Sequence, residues 1–228
     1  MPRQTFDRQI HHLQDEVLLL GSMVEQALLQ SVELLKRRDI PASQRLIQDD
    51  QLINEKRFAI ENNVLLLMAT QQPIAHDLRL LAALLEVTTE LERIGDYAKG
   101  IAKVTIRLED AEVPIPIREL TRMAELATDM LHRALSALVT ENVALAHAIP
   151  AEDSVVDELY LTVYRTLVKM MVSSPQLIDQ ANLLLWVDHN LERAADRVTN
   201  ICERTIFTAT GEMIEMDAED NEDEDVIA

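Results

Sequence analysis

The sequence predicts an all-α chain of two tandem three-helix bundles, related by an internal repeat and followed by a disordered acidic C-terminal tail. Three observations carry that prediction. Gly is scarce, at 4 residues, and aromatics make up only 3%. That argues against sandwiches, barrels and glycine-rich nucleotide folds, while Leu, Ala, Glu, Gln and Met, all good helix formers, are abundant. Apolar residues recur at 3-4-3-4 spacing over long stretches, the pattern of a buried helix seam. Blocks of sequence about 100 residues apart also repeat one another.

The first helix carries Ile10, Leu13, Val17, Leu20, Val24, Ala27, Ser31 and Leu34 on one seam, with Gly21 inside it. Asp39 and Pro41 then suit an N-cap and a first turn. The second helix shows Leu46, Ile53, Ile60 and Leu67 at intervals of seven and breaks at Gln71-Gln72-Pro73. Leu84, Val87, Leu91, Ile94, Ala98, Ile101, Thr105 and Leu108 form the third seam, which Pro114 and Pro116 end. The fourth helix is expected from about Ile117 to Val139. A fifth starts near Asn142, kinked early by Pro150. The sixth follows Pro175 with Leu184, Val187, Leu191, Ala194, Val198, Ile201 and Thr205 inward.

The repeat is visible in the residues. Asp50-Gln51-Leu52-Ile53-Asn54-Glu55 aligns with Asp153-Ser154-Val155-Val156-Asp157-Glu158, and Leu91-Glu92-Arg93-Ile94-Gly95-Asp96 with Leu191-Glu192-Arg193-Ala194-Ala195-Asp196. The expected units are residues 1–112, residues 113–211 and an acidic tail, residues 212–228. A single continuous six-helix bundle is the alternative architecture.

Net charge is −19, from 21 Lys and Arg against 40 Asp and Glu. Such a chain is repelled by nucleic acid and by anionic lipid. Nine of the acids fall between Glu212 and Ala228, with no Lys or Arg among them. A block of that kind reads as a solubilising tail, with partner binding or metal buffering as the other uses. The lone Cys202 excludes a disulfide framework within the chain. There is no apolar signal core, and no uninterrupted apolar run approaches a membrane span. The expected address is cytoplasmic.

The chemistry-bearing feature is the pair Glu92/Asp96 and its copy Glu192/Asp196. At i, i+4 the two carboxylates share one helix face. They are expected on the side away from the core, as a hard-oxygen surface. Asp50 and Asn54 share a face of the preceding helix, and Asp153 and Asp157 repeat this in the second unit. If the helices pack antiparallel, each unit gathers three or four oxygens suited to Mg²⁺, Mn²⁺ or Fe. The competing reading is a solvated charged face with Arg93 and Arg193 as local partners. Phosphate-cradling glycine loops, C-x-x-C and H-E-x-x-H are all missing. So is the E-x-x-H of di-iron bundles. Cys202, Met170 and Met171 read as packing residues.

Taken together, these stretches resemble the PhoU family of phosphate-uptake regulators. The likeness lies in Gln72-Pro73-Ile74-Ala75-His76-Asp77-Leu78-Arg79-Leu80, Glu90 to Ala98, Asn190 to Arg197 and Asn200-Ile201-Cys202-Glu203, and it covers about residues 5–210. It implies paired three-helix bundles, usually dimeric and not enzymatic. It further implies an adaptor between the ATPase subunit (PstB) of the Pst phosphate transporter and a PhoR-type sensor histidine kinase, negatively regulating the phosphate-starvation response. Contact with a membrane would run only through those partners. The resemblance also implies metal, as Mg, Mn, Fe or Zn, on Glu92/Asp96 and Glu192/Asp196, joined by Asp50 and by Asp153 and Asp157. Asn54 stands where many relatives carry Asp. The acidic tail is outside the family pattern. The alternative from another class is a multinuclear carboxylate–metal bundle with redox or hydrolytic activity.

Overall fold

The computed structural model describes residues 2–109 and 111–216. Seven α-helices follow in order: α1 Pro2–Arg37, α2 Ile40–Gln71, α3 His76–Leu108, α4 Ile117–Thr140, α5 Val143–Ala148, α6 Asp153–Ser173 and α7 Ile178–Thr210. No strand occurs among the described residues. α1, α2 and α3 make the first three-helix unit, and α4, α6 and α7 the second.

The breaks fall where the sequence places them, for the reasons it gives. Asp39 Oδ1 accepts the Ala42 N–H at 2.9 Å, with Pro41 in the first turn of α2. α2 ends on Gln72 in the left-handed region, φ 50°, because Pro73 cannot continue the helix. The fifth helix is not a kinked single element. Asn142 caps a short α5 through Leu145 N–H at 3.1 Å, and a 3₁₀ turn over Pro150–Glu152 then separates it from α6. Pro150 has no N–H to extend α5. Arg133 of α4 grips Glu152 with two hydrogen bonds, at 2.8 and 2.5 Å, and so fixes the turn.

The seams are inward. Every seam residue of α3 and α7 is buried, and one apolar cluster runs through both units from Phe6 to Ile206. α1 packs on α2 and α3 of its own unit and on α4 of the other, while α3 lies along α7. Gly21 is the close point of α1 on α4, since a Cβ there would stand 2.1 Å from Leu135 Cδ1. α1 is also long and apolar enough by composition to cross a membrane, which short apolar runs had argued against. Its stripe from Ile10 through Leu35 is instead buried in this core.

The first residues of the expected tail are packed. Of residues 212–228, Glu212–Met216 fold back along α7. Ile214 and Met216 pack on the core, and the Met216 N–H reaches Glu203 Oε1 at 2.8 Å. Residues 217–228 of the expected disordered tail lie outside the described residues.

Candidate functional site

Each unit sets an outer helix, α2 or α6, against the carboxylate face of an inner one, α3 or α7. The i, i+4 pairs therefore do not look straight into solvent, as the helix wheel alone suggested. Asp96 is exposed, but Glu92, Glu192 and Asp196 are half-buried. Asp50 is buried, and Asp153 and Asp157 are half-buried, on the facing helices.

In the first cluster two cations, Lys99 and Arg57, face the carboxylates. Lys99 Nζ donates to Asp50 Oδ2 at 2.6 Å and stands 3.5 Å from Asp96 Oδ1. Asn54 Nδ2 donates to the same Asp50 oxygen at 3.1 Å. Arg57, reaching over from α2, stands 3.5 Å from Glu92 Oε1 while donating to Glu61 at 2.7 Å. Burial, then Asp96, raises the Glu92 pKa against the pull of Arg57. The hydrogen bond to Asp50 in turn raises that of Lys99.

The second cluster inverts that balance. By the repeat, Tyr160 replaces Arg57, Thr199 replaces Lys99, Asp157 replaces Asn54, and Asp188 replaces Thr88. Two cations are lost and two acids gained. Asp188, Glu192 and Asp196 now rise along one face of α7 at successive intervals of four. Asp188 is fully buried, and neither carboxylate oxygen has a hydrogen-bond partner among the described residues. Burial, reinforced by Glu192, pushes its pKa up to about 8. Glu192 rises to about 7, through burial first and then Asp196 and Asp157, against Arg193 and Arg197. Tyr160 is raised by burial and by the nearness of Glu192 and Asp188. His189 Nδ1 lies 3.3 Å from Glu192 Oε2, and burial lowers the His189 pKa.

Glu92 thus lies within electrostatic reach of Asp96 and Asp50, and Glu192 within reach of Asp196 and Asp157, while Asp153 is half-buried in the first turn of α6. Among the described residues, no three of these groups already converge tightly enough to hold an ion. The donor set of the second cluster nevertheless suits a hard cation. It is all carboxylate oxygen, and it includes the unpartnered oxygens of Asp188. That residue was missed in the sequence reading. Its signal was available: D-x-x-x-E-x-x-x-D at 188, 192 and 196 extends the pair by one turn.

A PhoU domain model matches residues 17–105 and, a second time, residues 120–205. The chain belongs to the PhoU family. A Clostridium acetobutylicum relative, named a phosphate-specific transport system accessory protein PhoU homolog, is 34% identical over 95% of this chain and 99% of its own. A relative of the same name from Streptococcus pneumoniae is 30% identical over 94% of this chain and 99% of its own. The crystal structure of a PhoU phosphate transport regulatory protein from Streptococcus pneumoniae superposes with TM-score 0.86 at 29% identity, covering 92% of this chain and 100% of that one. PhoU from Pseudomonas aeruginosa superposes with TM-score 0.85 at 30% identity, covering 91% of this chain and 100% of that one. The two matched stretches correspond to the two helical units, and the carboxylate clusters described above sit one to each unit.

Proposed function

We propose that this PhoU protein is a cytoplasmic, non-enzymatic regulator of phosphate uptake and phosphate signalling. It acts as an adaptor between the PstB ATPase of a Pst transporter and a PhoR-type sensor kinase, and restrains the phosphate-starvation response. One observation carries the reading: full-length similarity, through both halves, to relatives named as accessory proteins of the phosphate-specific transport system. Retention of PstB or of the kinase cytoplasmic region by the immobilised protein, with and without Mn²⁺, tests it. Failure to retain either from folded, active partners overturns it. We read the working form as a homodimer, which sedimentation at micromolar concentration decides.

The same reading includes a divalent cation on the second cluster. Asp153, Asp157, Asp188, Glu192 and Asp196 would hold it, and the bound ion would brace α6 against α7 and relieve carboxylate repulsion. In the first cluster Lys99 and Arg57 supply the positive charge instead. Mn²⁺ titration should then find sites that the double variant Glu192→Ala/Asp196→Ala lacks. Unchanged stoichiometry in that variant refutes the assignment. Phosphoester or peroxide turnover lost in the same variant would instead favour the carboxylate–metal enzyme.

A further inference from the structure

α3 and α7 pack antiparallel, and the repeat exchanges them. Asn200 of α7 meets Glu90 of α3 at 3.2 Å at one end. At the other end Gly100 of α3 lies against Asn190 and Trp186 of α7. The two ends are built alike and finished differently.

At the first end the chain after α7 closes over the groove. Gly211, at φ 84°, lies against the Arg79 guanidinium, and Arg79 Nε donates to the Thr208 carbonyl at 3.2 Å. Glu203 then takes the Met216 N–H. At the second end the equivalent groove is open, with a volume of about 630 Å³. Lys103, Arg107 and Gly100 of α3 and Asp179, Leu183 and Trp186 of α7 line it. The linker after α3 does not cover it. Arg38 at the α1–α2 corner holds that linker by the Ala111 and Val113 carbonyls instead.

The open groove differs in charge from its closed twin, since Lys103 stands where Glu203 does. Lys103 and Arg107 are exposed, and neither pairs with a carboxylate among the described residues. Trp186, half-exposed, is the single tryptophan. We propose that residues 217–228 of the same chain cover this groove. Their acids would meet Lys103 and Arg107, and the terminal Val226-Ile227 would lie against Trp186.

Three arguments select that occupant. The groove presents two unpaired cations against the single acid Asp179. The segment carries seven carboxylates between Asp217 and Asp225 and no Lys or Arg. It also reaches. From Glu203, where Met216 is tied, to Trp186 is about 26 Å along α7 at 1.5 Å per residue. Twelve extended residues span up to about 40 Å.

Trp186 reports the test directly. Emission and acrylamide quenching are compared for the full chain, for a chain ending at Met216, and for full-length Lys103→Glu/Arg107→Glu. Thermal melts verify that each is folded. In the full chain Trp186 should be shielded, and more so at low salt, because screening weakens exposed charge pairs. Both variants should show red-shifted, more readily quenched emission. A peptide of residues 217–228 should restore shielding in the shortened chain. Its affinity should fall about fivefold for each cation reversed, the upper range for an exposed ion pair. Equal quenching in the full chain and in the double variant overturns the proposal, even if the shortened chain fails to fold. Shielding that rises with protein concentration also overturns it, since the occupant is then a second copy.

Discussion

Lys99→Thr puts into the first unit the residue that the repeat places at position 199 of the second. It removes the only cation hydrogen-bonded to Asp50 among the described residues, and the Asp50 side chain is 5% exposed. Asp50 then keeps one hydrogen bond, from Asn54. Breaking a buried ion pair by deleting one partner costs about 3–5 kcal/mol. Lys99 itself is 26% exposed, so water enters the vacated space and about 2–3 kcal/mol is the expected loss. For a chain of this length that lowers Tm by roughly 5–10 °C. Adding Asp50→Asn removes the stranded charge and should recover all but about 1 kcal/mol. Divalent cation should stabilise the single variant more than the parent, because the position of Lys99 Nζ on Asp50 becomes open to a metal. Urea unfolding of the parent, the single variant and the double variant, with EDTA and with Mn²⁺, measures every arm. A loss below about 1 kcal/mol in Lys99→Thr, or no recovery in the double variant, refutes the view that Lys99 compensates this site.

Other expectations follow from single contacts. Asp188→Asn keeps the shape of the buried side chain but removes the carboxyl that would ionise onto a bound cation, and calorimetric Mn²⁺ titration should show affinity weakened about tenfold or more. Unchanged affinity would exclude Asp188 from the site. Gly21→Ala should destabilise the protein by about 1–2 kcal/mol in chemical denaturation, because crowding against Leu135 outweighs the gain in helix propensity. A more stable variant would show that α1 and α4 separate easily. Cys202 is fully buried, and burial pushes its thiol up to about 12. Thiol reagents at pH 8 should therefore label it only on unfolding. Because the folded pKa is the higher one, stability should be level below the unfolded thiol pKa and fall as pH rises toward 12. Cys202→Ala should flatten that alkaline slope, and an unaltered slope would assign it to other groups. Asp39→Ala should cost about 1 kcal/mol through the lost α2 cap, measurable as a lower urea midpoint at unchanged slope.

Much of this protein is legible in one dimension, because helix seams, caps and proline breaks are local. Seam spacing in α3 and α7, the Asp39 cap and the stop before Pro73 depend on residues within a turn or two of each other. The repeat places Glu92/Asp96 and Glu192/Asp196 on matching faces, and the resemblance they carry is to the family the chain belongs to. Periodicity could not show that Pro150 ends α5 outright, because Arg133 of α4 fixes the replacement turn through Glu152. Nor could it show that residues 212–216 pack, since their seat on Glu203 belongs to the finished α7.

Charge compensation is the clearest division between the two levels. The sequence alone determines which carboxylates repeat, and at what spacing. Tertiary packing decided what each one faces. Lys99 reaches from α3 to Asp50 of α2, and Arg57 crosses from α2 to Glu92 of α3. At the equivalent positions of the second unit stand Thr199 and Tyr160, with Asp188 sealed beneath. Two copies of one motif thereby acquire opposite electrostatics. A carboxylate's ionisation depends on burial and on the nearest opposite charge, and both are set by helices that meet only after the chain has folded.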